Sequence, residues 1–128
     1  MYEYGLVEAL RQAIKAESEI SEHLNGIYSH VPAEVKPPYI RIQACQDRAL
    51  SPTIIYGDVI LTIVSRYRGQ LEINKILKTV RQILQKPLLT AQGHQLIFKE
   101  DALAHTLASD NLTQSMTLTF RVKLKINQ

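Results

Sequence analysis

From Met116 to Ile126 every even-numbered position is apolar, and every odd-numbered one from Thr117 to Lys125 is Thr, Arg or Lys. A side-chain period of two describes a strand with one dry face and one wet face. The β-branched and aromatic residues in the run suit a pleated, half-buried surface. Residues 114–126 are therefore expected at the centre of a sheet, with the rest of the chain covering its oily face.

Read in order, the chain supplies that cover. Leu6, Leu10, Ala13 and Ile14 fall on one stripe of a helix predicted over 4–16, with Glu8, Arg11, Gln12 and Lys15 opposite. Ser18 and Ser21 suit the cap of a second short turn, and Asn25-Gly26 reads as a left-handed helix stop. After the prolines at 32, 37 and 38, residues 39–45 alternate again, with Ile40, Ile42 and Ala44 inward and Arg41 and Gln43 outward. A prolyl pair at the head of a strand suits a sheet edge.

Residues 46–57 read as a loop around Ser51-Pro52, greasy at Thr53, Ile54, Ile55 and Tyr56. Such residues either tuck onto their own core or serve a partner. In the strand predicted over 58–67 alternation fails, because Ile60 and Val64 compete with Val59, Leu61 and Ile63. A strand apolar on both faces is covered on both, and two helices do not easily cover two faces, which points to another subunit. Ile73, Ile76, Leu77, Val80, Ile83 and Leu84 define the clearest helix, over 71–85, which Pro87 ends. A further strand opens at 95–99, is interrupted by Glu100-Asp101 as a bulge, and continues over 102–108. Ser109-Asp110-Asn111 then turns the chain into the C-terminal strand.

The order is helix, strand, strand, helix, strand, strand, with the last strand expected between the second and third. The expected fold is α+β: a single domain over 1–128 with one mainly antiparallel four-stranded sheet and two helices packed on one face. The length of 128 residues is enough to close one hydrophobic core. Apolar runs such as Val59-Ile60-Leu61 are far too short to span a bilayer. The N-terminus lacks the basic-then-apolar pattern of a secretory signal, and Cys45 alone forms no internal disulfide.

No catalytic constellation emerges. His23, His30, His94 and His105 have no metal-site spacing, and the five glycines stand singly rather than in a phosphate loop. No catalytic, cofactor or metal residues are assigned, and the expected reading is not an enzyme. Charge is more informative. Residues 1–34 carry six glutamates against Arg11 and Lys15, a net −4, whereas the remainder carries +7. An acidic solvated helix beside a basic sheet face explains this; so does electrostatic complementarity between neighbouring copies. The row Arg121, Lys123, Lys125 also admits an alternative, a nucleic-acid-binding α+β module using a basic sheet face. It carries threonines but no stacking aromatic, so DNA contact is at most non-specific.

With these elements in place, the chain resembles a family of small phage and gene-transfer-agent proteins, the tail terminator and tail-completion proteins. The features that carry the likeness are the N-terminal helix, Gly26-Ile27-Tyr28, the segment Pro37-Pro38-Tyr39-Ile40-Arg41-Ile42, the long strand from Gly57 to Arg66, the helix through Val80, and then Leu84, Pro87-Leu88, Gly93 and the final hairpin. The resemblance implies a structural protein of a virion, or of host cytoplasm during assembly. It would form a ring, commonly a hexamer, that caps the tail tube protein and contacts the head connector protein, with no membrane or cofactor. A ring needs one surface to meet a different one on the next copy. The expected interface residues are Thr53, Ile54, Ile55, Tyr56, Ile60, Val64, Arg121, Lys123 and Lys125. The docking expected is that of the acidic N-terminal surface on the basic sheet face.

Overall fold

The computed structural model describes residues 5–22, 24–66, 71–108, 110 and 112–126, with the side chains of 45–50 outside the description. The C-terminal run forms β6 (Gln114–Lys125), whose side chains alternate between buried and accessible as the period of two requires. It lies between β3 (Ile54–Ser65) and β5 (Gln95–Leu107), antiparallel to both. β2 (Tyr39–Ser51) pairs antiparallel with β3. Two two-residue strands complete the sheet: β1 (Ile27–Tyr28), parallel to β2, and β4 (Leu88–Leu89), antiparallel to β5. The spatial order is β1-β2-β3-β6-β5-β4.

This corrects the expected fold class. The sheet is six-stranded, mixed and curled into a half-barrel, with three helices, not four-stranded and antiparallel with two. Both added strands are two residues long, too short for any hydrophobic period to reveal. β1 forms because Ile40 N–H donates to the Gly26 carbonyl at 3.1 Å and Asn25 N–H to the Pro38 carbonyl at 2.7 Å. The residues after the prolyl pair therefore have a strand on both sides. The loop expected at 46–57 is also absent: β2 runs to Ser51, a turn follows at Pro52-Thr53, and β3 begins at Ile54. Ser51 holds this turn by accepting from the Thr53 and Ile54 N–H groups at 3.3 and 3.1 Å.

The helices are α1 (Leu6–Lys15), α2 (Ser18–Ser21) and α3 (Leu71–Leu84). Leu6, Leu10 and Ile14 of α1 are fully buried, as the stripe demands. α1 packs on β2, β4 and α3, so it plugs the hollow of the curled sheet. α2 is a single turn that adds Ile20 to the core, with Glu17 and not a serine at its N-cap. From α3, Ile73, Ile76, Leu77, Val80 and Leu84 meet the sheet, and buried Thr79 satisfies its hydroxyl on the Lys75 carbonyl at 3.0 Å. Ser65 at the end of β3 donates to Glu72 in the first turn of α3 at 2.6 Å, pinning the crossover at its start. The helices face Ile40, Ile42, Val59, Leu61, Ile63, Leu96, Leu118, Val122 and Leu124, each at most 1% exposed. Burying an aliphatic side chain of this size contributes about 1.5–3 kcal/mol. The expected start of the first helix at Tyr4, His23, and the turn residues 68–70, 109 and 111 lie outside the described residues.

Gly26 is no left-handed stop; among the described glycines the positive φ values belong to Gly5 and Gly93. Its small size serves a close approach instead, since a Cβ there would strike the Tyr28 ring. That ring is held by its hydroxyl donating to the Asn25 carbonyl at 3.1 Å and by an edge contact to Tyr39 with centroids 6.3 Å apart. Gly26→Ala should cost about 1–2 kcal/mol by overpacking, and most of that loss should vanish in a Tyr28→Ala background. Urea denaturation of the four-member cycle measures both.

Candidate functional site

Among the described residues no group of three or more His, Cys, Asp or Glu is arranged to hold a metal ion. His30 lies exposed in a bend, His94 is half-buried before β5, and His105 in β5 has its Nε2 3.0 Å from Gln114 Oε1. The cleft between α3 and β5, about 200 Å³, is lined by Arg81, Leu84, Gln85, Phe98, Glu100 and Phe120. Its charges are already paired: Arg81 donates to both Glu100 oxygens, at 2.8 and 2.9 Å. That bidentate contact ties α3 to β5 just before its bulge. No helix among the described residues is long and apolar enough to cross a membrane.

What remains is the sheet face turned away from the helices. Residues opposite one another in a ladder share a face, so the registers build this surface row by row. Ile54, Lys125 and Gln95 make one row; Tyr56, Lys123 and Ile97 the next; Asp58, Arg121 and Lys99 the third; Ile60, Thr119 and Ala102 the fourth. The expected interface residues Ile54, Tyr56, Ile60, Arg121, Lys123 and Lys125 thus come together on one face, with Thr53 in the turn beside them. Arg121 and Lys125 are exposed, while Ile54, Tyr56, Ile60 and Lys123 are half-buried.

One expected member stands apart: Ile55 points to the helices opposite Leu124 and is 7% exposed. Val64 keeps the outer-face register, opposite Ser115, but is only 8% exposed. The failed alternation is resolved by the same registers: odd residues of β3 face the helices, and even ones form the outer face. Lys99 and Ile97 were missed as members of this surface, although the alternation of 95–99 would have placed both outward. Tyr56 was missed as the aromatic neighbour of Lys123 because its segment reads as a loop.

The β5–β6 connection is locked by Asp110. One carboxylate oxygen accepts from the Leu112 and Thr113 N–H groups at 2.9 and 2.8 Å, and the other accepts from the Thr113 hydroxyl at 2.8 Å. These bonds, that from the Thr113 N–H first, push the Asp110 pKa down to about 2. A depressed carboxylate contributes stability that is complete above its unfolded value of about 3.9. That contribution is lost as pH falls through about 2. A carboxyl titration followed by NMR should place the Asp110 midpoint near 2, and Asp110→Ala should flatten the acid limb of the stability–pH curve.

Residues 8–125 match the family model described as tail completion protein gp17. The chain belongs to this family. It is accordingly a structural protein of a phage-like tail. A chain from the virion of a native gene transfer agent particle superposes with a TM-score of 0.77 over 94% of this chain and 95% of its own, at 16% identity. A second solved chain superposes with a TM-score of 0.62 over 99% and 95%, at 10% identity. At such identities the superpositions speak for a shared fold. No curated protein matches the sequence.

Proposed function

We propose that this family member forms a ring at the head-proximal end of a tail tube, ends tube growth there and offers its other side to the head connector. The role is structural and not catalytic. The observation that carries the reading is the outer sheet face of a tail completion chain, where Ile54, Tyr56 and Ile60 lie beside Arg121, Lys123 and Lys125 with the helices all on the opposite side. A solvated face has no need of an isoleucine–tyrosine row beside a basic one, whereas a contact surface does.

Native mass spectrometry over rising concentration, with and without the tail tube protein, tests it. A discrete closed oligomer is expected, together with tubes of limited length when the protein is added during tube polymerisation. A chain that stays monomeric throughout and leaves tube length unchanged would refute the reading. Tyr56 beside Lys123 also favours a weak DNA contact on this face. Such binding should fall steeply as salt rises and show no sequence preference.

A further inference from the structure

The inference concerns how the ring closes, and it rests on the ring reading above. β4 pairs with β5 only at Gln95 and Leu96, and among the described residues no strand lies beyond β5 over 98–107. Natural edge strands are blunted by charges, prolines and bulges. Here Lys99, Glu100 and the bulge at Asp101 supply that protection. It stops there: 102–107 reads Ala-Leu-Ala-His-Thr-Leu, without a Lys, Arg, acid, Pro or Gly. The bulge also switches the parity of the strand, so that Leu103 and Leu107 face the helix side, opposite Leu118 and Gln114. The helical layer does not reach them, and they are 43% and 52% exposed.

The opposite side of the same sheet carries the matching element. Among the described residues β1 pairs with β2 at Ile40 and Arg41, and β2 continues past it to Ser51. β2 and β5 run in opposite senses. In a cyclic ring every copy keeps the same sense along the axis, so β5 of one copy would meet β2 of the next as an antiparallel pair. With no axial slide the neighbour's β1 would collide with β5, because Ile40 is level with His105 through Ile63 and Met116. A slide of about five residues carries β1 past the end of one strand and β4 past the end of the other. That slide is ~17 Å along the strand over four strands spanning ~19 Å, a tilt of about 40°, within the range of closed barrels.

We infer that the ring closes by strand addition: residues 102–107 of β5 pair antiparallel with the middle of β2 of a second copy, joining the sheets edge to edge and covering Leu103 and Leu107. In this arrangement the basic sheet faces of all copies lie on one side of the wall and the helices on the other. The charge split then describes a two-sided ring and not a contact between neighbours.

Hydrogen exchange and native mass spectrometry on the full chain decide it. Amides of 102–107 and of the middle of β2 should gain protection together on assembly. Leu103→Lys with Leu107→Lys should raise the concentration for half-assembly about 100-fold or more, as for loss of an interface anchor, with the monomer's circular dichroism unchanged. Neutralising Arg121, Lys123 and Lys125 to Gln should leave the ring intact. A ring whose two edges stay unprotected, or one that dissolves on neutralisation but survives both lysines, overturns strand addition and leaves the ring reading standing. The absence of any ring, alone or with the tail tube protein, removes both.

Discussion

Leu118→Ala should cost about 3–4 kcal/mol. Leu118 is fully buried on the middle strand, in register with Leu61 on one side and Leu103 on the other. Its surroundings are strand backbone held by long ladders on both flanks, so the site collapses poorly around a missing isobutyl group. Losses of this kind combine the transfer term with an unfilled cavity and run to about 2.7–5 kcal/mol. Urea unfolding with the slope unchanged would report it cleanly. A loss under about 1 kcal/mol would mean that the sheet is not packed as described. Thr117→Ala, next to it but on the outer face, should change stability by no more than about 0.5 kcal/mol.

Leu10→Ala should cost about 3 kcal/mol, for a different reason. Leu10 is fully buried in α1, and α1 reaches both β2 and β4, strands on opposite flanks of the curled sheet. Removing its side chain loosens the plug on which the two ends of the sheet converge. The loss should therefore appear both in global unfolding and as faster hydrogen exchange in the β4–β5 pair. Leu89→Ala supplies the contrast: Leu89 is 68% exposed and should be nearly silent. Equal losses at the two positions would contradict this account of α1.

Much of the core was legible because long amphipathic elements carry their own period. The even-numbered apolar row of β6, the stripe Leu6-Leu10-Ile14 and, in α3, Ile73, Ile76, Leu77, Val80 and Leu84 all bury as their spacing requires, while Ile83 of the same stripe is half-buried. The four long strands stand in the order that a crossover followed by a final hairpin demands, β2-β3-β6-β5. The outer-face surface was partly legible for the same reason: Arg121, Lys123 and Lys125 alternate visibly. Ile54 and Tyr56 joined them only once β3 was known to begin before Gly57.

The residues by themselves determined which side chains must be dry, which elements are long, and that Glu100-Asp101 puts a bulge into a strand. Tertiary structure alone decided the two short edge strands, the extension of β2 to Ser51 and the curl around α1. A two-residue strand exists because a neighbour's backbone groups are there to receive it, and no periodicity in its own sequence encodes that. The face of Leu103 and Leu107 belongs to the same class, since it follows from the register on β6 after the bulge, a distance relation between segments that local pattern does not carry.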